Sequence, residues 1–323
     1  MICGNFSRAF VWAVLLIFCQ SSTALIHGVE HDAIKVSTVK IRFQHEHYLR
    51  SLGKWQNYES LCSAVVVGVK PLTLLTAAHC LKEIKLTETS GLPLIEILHL
   101  DQIGIKTPRL TQAFYSAYED VKNDVAQDIA VLVFDAYVGK AINPVKVHTH
   151  PLDSSQSLLI CGYGGADQAL DSAKPTCAER DILNRLTDFE SVLPSSYQLE
   201  DEMLYLKSQA QFEYTKELIE NEDTLVAITR LNKQNRYATE LAIATIGDSG
   251  GAWLKKVGQG YELVAITSLV ERFYNKSTHW NFFDKETPLL DYPYIAYGLR
   301  LGHPRVKNIL LYARNSGADI TLD

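Results

Sequence analysis

Three short stretches of this chain combine residue types that could carry out nucleophilic and acid–base chemistry. The first is Thr245-Ile246-Gly247-Asp248-Ser249-Gly250-Gly251. Its glycines leave the backbone bare, so N–H groups can approach a substrate closely. A serine presented on such a turn can act as a nucleophile, with nearby amides ready to hold a developing oxyanion. Gly-Asp-Ser-Gly also occurs in ordinary turns, so Ser249 needs partners before it means catalysis. The second stretch, Thr76-Ala77-Ala78-His79-Cys80, follows the strand-like run Leu72 to Leu75. Small neighbours leave His79 accessible as a base, and a Cys62–Cys80 bridge would staple two neighbouring strands and hold it in place. The third, Asp128-Ile129-Ala130-Val131-Leu132-Val133, sets an acid ahead of an apolar strand. There it can point into a partly buried site and orient an imidazole; Asp124 and Asp135 are alternative acids.

The elements that must position these residues read as short strands. Ile34 to Phe43, Ser63 to Val69, Ile129 to Phe134, Leu158 to Cys161, Leu225 to Leu231 and Leu263 to Val270 are rich in Val, Ile, Leu, Thr and Tyr. Such segments, recurring without long helices between them, indicate an antiparallel all-β architecture. Arg305 to Arg314 is different: Val306, Ile309, Leu310 and Tyr312 fit an amphipathic helix, with Gly317 as its stop. The region from Asp188 to Asp223 is acidic and less strand-like, and reads as a solvated surface insertion.

Residues 1–24 read as a secretory leader, with Arg8, an apolar run from Ala9 to Phe18, and small residues at Ser22-Thr23-Ala24. The run is shorter than the roughly 20 residues needed to span a bilayer, so no membrane anchor is expected. At 47% hydrophobic and 21% charged, the composition is that of a globular protein. A net charge of −6 argues against a nucleic-acid partner, because phosphate binding requires a basic surface. Beyond the leader the chain keeps Cys62, Cys80, Cys161 and Cys177, an even number that favours two disulfides in an exported protein. Asn275-Lys276-Ser277 is a glycosylation sequon. His45-Glu46-His47 and His148-Thr149-His150 could suggest a metal. No cysteine or carboxylate set in the sequence completes a shell around either pair, so both read as surface features.

The three motifs, in the order His, Asp, Ser, resemble the chymotrypsin/trypsin family of serine endopeptidases. Ile26-His27-Gly28-Val29 is similar to that family's mature N-terminus, and Cys161-Gly162-Tyr163-Gly164 to its Gly-aromatic-Gly turn. Ala265 to Ser268 is similar to the strand lining the cleft, and Val306 to Arg314 to the terminal helix. The resemblance implies an all-β fold of two antiparallel six-stranded β-barrels with a C-terminal helix. The barrels would occupy residues 25–147 and 148–303, with the helix and tail at 304–323. It also implies a secreted monomer, extracellular or periplasmic, that acts on protein or peptide substrates without metal or organic cofactor. Ser249 would be the nucleophile, His79 the base and Asp128 its orienting acid, with Ser268 supporting Asp128. Gly247 and Ser249 would supply the oxyanion hole, and the freed amine of Ile26 would pair with Asp248.

Several positions depart from the family pattern. Cleavage after Ala24 leaves Leu25 ahead of Ile26, which would misplace the amine. Ile243, six residues before Ser249, and Ala244 beside it offer no charge to a Lys or Arg side chain. Val270 and Ile295 stand where wide pockets need glycine, so the resemblance implies a narrow, non-tryptic pocket that takes small apolar residues. No cysteine lies near Ser249, and Cys177 is expected to pair with Cys161. The stretch from Gly164 to Gly247 is longer than in compact members, as is Val270 to Ala296, and both imply surface insertions near the cleft. The alternative reading is a catalytically weak homologue that binds a partner through these insertions. A non-proteolytic esterase fits less well, because the His-Asp-Ser order differs from that of the α/β-hydrolases.

Overall fold

The computed structural model describes residues 29–30, 37–49, 51, 53–82, 84, 86, 91–98, 108–116, 125–139, 142–152, 156–164, 174–182, 213–222, 224–228, 247–272 and 294–323. Two curled antiparallel sheets make up the body. The first contains β2 (Thr38–Leu49), β3 (Lys54–Val69), β4 (Leu72–Thr76), β5 (Ile95–Ile97), β6 (Leu110–Tyr115) and β7 (Ala130–Phe134), in the order β5-β2-β3-β4-β7-β6. The second is built on six strands: β9 (Ser157–Gly162), β10 (Thr176–Asp181), β11 (Thr224–Ile228), β12 (Ala252–Val257), β13 (Gly260–Arg272) and β14 (Tyr294–Arg300). Two two-residue strands extend it: β1 (Val29–Glu30) beside β10, and β8 (Lys146–Val147) parallel to β13. This is the expected two-barrel plan, with each barrel a six-stranded curl.

The apolar runs that mark the strands are nearly continuous because both strand faces are buried. In β3, Ala64 and Val66 face the interior of the first half, while Val65 and Val67 join a core shared with the second. In β7, Ala130, Leu132 and Phe134 point inward and Val131 and Val133 point to the shared core, following the two-residue period of a strand. From the other side, Ala252, Leu254, Leu263 and Ile266 meet that shared core, while Trp253, Val264 and Ala265 fill the second half. A one-sided sheet would alternate apolar with polar; Ala130–Phe134 does not, since it is buried throughout.

The β2–β3 hairpin runs further than the apolar pattern suggests. Its twelve-residue first strand stays paired from Thr38↔Val65 out to Leu49↔Lys54, and the outer part of β3 is exposed. Cross-strand pairs hold this polar ribbon together: His45 stacks on Tyr58 and Tyr48 packs on Trp55.

The C-terminal helix spans Pro304–Asn315, with Pro304 in its first turn, where a missing N–H costs nothing. It buries Val306, Leu310 and Ala313. Ala318 N–H donates to Ala313 O and Gly317 N–H to Arg314 O, with Gly317 at φ +107°, which together form a Schellman stop. The acidic stretch proves only partly solvated. Residues 213–220 form a helix that buries Thr215, Leu218 and Ile219, and Thr215 is hydrogen-bonded to Tyr297 Oη at 2.7 Å. The apolar positions Leu218 and Ile219 override the acidic composition there, while residues 188–212 lie outside the described part.

Candidate active site

His79 sits in the 3-10 turn Ala78–Leu81 directly after β4. The Cys62–Cys80 disulfide ties that turn to β3, so it joins a strand to a turn instead of two strands. Asp128 lies between the 3-10 turn Val125–Gln127 and β7 and is 2% exposed. Because β4 and β7 pair through Thr76↔Ala130, the residues just beyond those paired ends meet. His79 N–H donates to Asp128 Oδ1 at 2.8 Å, and His79 Nδ1 lies 3.1 Å and 2.9 Å from the two carboxylate oxygens. A carboxylate only accepts, so Nδ1 carries the proton and Nε2 is left as an acceptor. Ser249 Oγ lies 2.8 Å from that Nε2, placed to donate. The Ser268 hydroxyl completes the set by donating to Asp128 Oδ2. Burial by itself would lower the His79 pKa, but the hydrogen bond and charge of Asp128 outweigh it and leave the pKa above its ordinary value.

The loop carrying Ser249 holds its shape through glycine and through contacts to the first half. Gly247 and Gly250 adopt φ +96° and φ +79°. A Cβ on Gly250 would fall 2.2 Å from Thr76 Oγ1 and 2.3 Å from Ser63 O. Ser63 N–H donates to Ser249 O at 2.8 Å, and Gly250 N–H donates to Thr267 O at 2.7 Å. Asp248 is buried, with Gly164 N–H donating to its Oδ1 at 2.5 Å. Gly162 and Gly164 make that burial possible, since a Cβ on either would lie within 2.6 Å of the Asp248 carboxyl. The Cys161–Cys177 disulfide links paired residues of β9 and β10 beside this cradle.

The remaining sequence candidates are placed as follows. Ser268 is buried and turned to Asp128. Val270 is half-buried against the core around Leu158 and Trp253, and its strand neighbour is Ala296. The backbone of Ile295 pairs with Glu271 and Ile228. Ile26, Ile243 and Ala244 lie outside the described residues, as do Leu25 and Asp124. Asp135 is away from His79: it accepts from Arg109 N–H at 2.7 Å.

One histidine of each pair departs from the expected surface position, while His150 is exposed as expected. His45 is buried, hydrogen-bonded to Lys82 O at 2.8 Å and Ser60 Oγ at 2.6 Å. His148 is 9% exposed and meets two carboxylates that are distant in sequence. Sequence reading also passed over Ser63, whose hydroxyl donates to Gly247 O at 3.2 Å and accepts from Tyr163 N–H at 2.9 Å. Its one signal is its position after Cys62, at the start of an otherwise apolar run.

No protein-family model matches the sequence, and neither does any curated protein. Solved structures do resemble it. A scabies mite inactivated protease paralogue superposes with a TM-score of 0.50 at 16% identity, covering 89% of this chain and 99% of that one. Neuropsin, a serine protease expressed in the limbic system of mouse brain, gives a TM-score of 0.48 at 16% identity, covering 90% and 98%. The fold is therefore that of the chymotrypsin-like serine proteases, carried here with two disulfides. No described helix is long and apolar enough to cross a membrane.

Proposed function

We propose that the protein is a secreted serine endopeptidase. The observation that carries this reading is the unbroken chain from Ser249 Oγ through His79 to a buried Asp128, with 2.8 Å between Oγ and Nε2. Ser249 Oγ attacks the scissile carbonyl carbon as His79 Nε2 takes its proton. The tetrahedral oxyanion is held by the backbone N–H groups of Gly247 and Ser249. His79 then gives the proton to the leaving amine, and water repeats the sequence on the acyl-enzyme. Asp128 keeps the proton on Nδ1 and stabilises the imidazolium, with Ser268 bracing the carboxylate. The His79 pKa, raised by Asp128, favours proton uptake at the moment of attack.

By the family resemblance Ile243 and Ala244 would stand at the pocket end, and neither side chain carries a charge, so cleavage is expected after small apolar residues and not after Lys or Arg. An Ile26 amine paired with Asp248 would order the oxyanion hole once Leu25 is removed. Labelling with a serine-reactive phosphonate, combined with peptide-library profiling, tests the assignment. Covalent capture at Ser249 and cleavage after small apolar residues support it. Folded protein that neither labels nor cleaves after authentic processing to Ile26 points to the second reading, a binding homologue. Leu25 ahead of Ile26 and the branched Ile243 are what favour that alternative.

A further inference from the structure

His148, Glu262 and Asp323 come from three segments that are far apart in sequence: the stretch after β8, the start of β13, and the C-terminal tail. They share no residue with the Ser249 cluster. His148 Nδ1 lies 3.1 Å from Glu262 Oε2 and 2.8 Å from Asp323 Oδ2. One donor atom from each of the three falls within 4.8 Å of the others. Each carboxylate is oriented through its other oxygen. Thr149 N–H and its hydroxyl donate to Asp323 Oδ1 at 2.6 Å and 2.8 Å, and Lys146 Nζ lies 3.6 Å from Glu262 Oε1. Two carboxylate oxygens are thus turned toward one imidazole nitrogen, the manner in which outer groups aim carboxylate ligands at a metal. His148 is buried and its Nε2 has no hydrogen-bond partner among the described residues, so the ring's described polar contacts are made by Nδ1. His150 stands alongside with its exposed ring, its Nε2 4.0 Å from Asp323 Oδ2, close enough for rotation to bring it in.

We propose that His148, Glu262 and Asp323, with His150 as fourth ligand, form a zinc site that pins the C-terminal tail to β13 and to the segment after β8. Donor atoms at about 2.0–2.2 Å from a tetrahedral zinc lie roughly 3.3–3.6 Å from one another. The 2.8 Å and 3.1 Å contacts at His148 Nδ1 would therefore open as the metal takes the place of the Nδ1 proton. Glu262 and Asp323 bring two carboxylates to one imidazole nitrogen with Lys146 beside Glu262, and a divalent cation would balance that charge. Two imidazoles with two carboxylates suit zinc better than the all-oxygen cages of calcium and magnesium. The alternative arrangement is metal-free, with His148 Nδ1 donating between the two carboxylates.

The test uses the whole secreted protein after chelator treatment. Zn2+ is titrated calorimetrically, and Co2+ is followed by its visible absorption. One-to-one binding, intense bands of four-coordinate cobalt and a raised melting temperature with Zn2+ are expected. Glu262→Gln and the exposed-side substitution His150→Ala should each weaken binding about tenfold or more while leaving the circular dichroism unchanged. Absence of one-to-one binding to folded protein at micromolar metal overturns the site, as does unchanged affinity in both variants.

Discussion

The Ser63 backbone N–H donates to the Ser249 carbonyl at 2.8 Å, so the first half of the molecule directly holds the loop that presents the proposed nucleophile. The Ser63 hydroxyl extends that hold to Gly247 O and to Tyr163 N–H. Ser63→Ala keeps the first contact and loses the other two. The buried Tyr163 N–H is then left unpaired, at a cost of about 1–3 kcal/mol. We expect a lower midpoint in denaturant and a lower kcat, because Gly247 is one of the two proposed oxyanion donors. An unchanged midpoint would show that the hydroxyl is dispensable.

Ser249→Ala should abolish peptide hydrolysis, by on the order of 10⁶-fold in kcat, while the melting temperature stays close to that of the parent. The side chain is only partly buried and its one described side-chain contact is with His79. Residual turnover within tenfold of the parent, measured with purified protein, rules out Ser249 as nucleophile.

As the proposed base His79 would act only when neutral, and Asp128 holds its pKa above the ordinary value of 6.5. The rate should therefore climb with pH through a midpoint above that of a free imidazole and level off beyond it. Asp128→Asn removes the interactions that raise the pKa and leaves the burial that lowers it, so the acid limb moves to lower pH. The plateau should drop about 10⁴-fold, because the amide no longer enforces the Nδ1–H tautomer. A pH profile of kcat/KM for the two proteins checks both; an acid limb that stays in place contradicts the assignment.

Gly250 has φ +79°, and a Cβ there would meet Ser63 O and Thr76 Oγ1. Gly250→Ala should cost roughly 1–2 kcal/mol from the left-handed backbone alone, with the clash against strand backbone adding to it. Thermal unfolding should show a lowered midpoint, and phosphonate labelling of Ser249 should slow even in the fraction that folds.

Trp253 fills the second half, fully buried, with its Nε1–H donated to Thr267 Oγ1 at 2.9 Å. Gly298 on β14 gives the indole its room, since a Cβ there would lie 2.7 Å from the ring. Gly298→Ala should lose about 1–3 kcal/mol through overpacking. Equilibrium unfolding followed by tryptophan fluorescence reads this directly, and parental stability would mean that the ring can shift.

The local chemistry of the proposed site was legible in the chain because its motifs are short. Glycine at positions 247 and 250, the small residues before His79 and the acid ahead of β7 each answer a requirement met within a few residues. The strands Ser63 to Val69 and Ile129 to Phe134 were legible for a related reason: burial on both faces leaves long apolar runs. Composition misled where burial is set by distant partners. The polar ribbon of β2 and β3 beyond Phe43 pairs through its backbone, the acidic 213–220 helix docks through Thr215 on Tyr297, and His45 and His148 are buried.

What the sequence determined by itself is the set of groups with a short-range signature: the three motifs, the cysteine count and the terminal helix with its glycine stop. Only the tertiary structure decided which distant groups meet. Ser63 reaches Ser249 because β3 runs between the two cores, and Glu262 and Asp323 reach His148 because β13 and the C-terminal tail both pack against the segment around β8. Hydrogen bonds and ion pairs act over a few ångströms, whereas these partners are separated by more than a hundred residues. The fold therefore has to bring them together before their chemistry can exist.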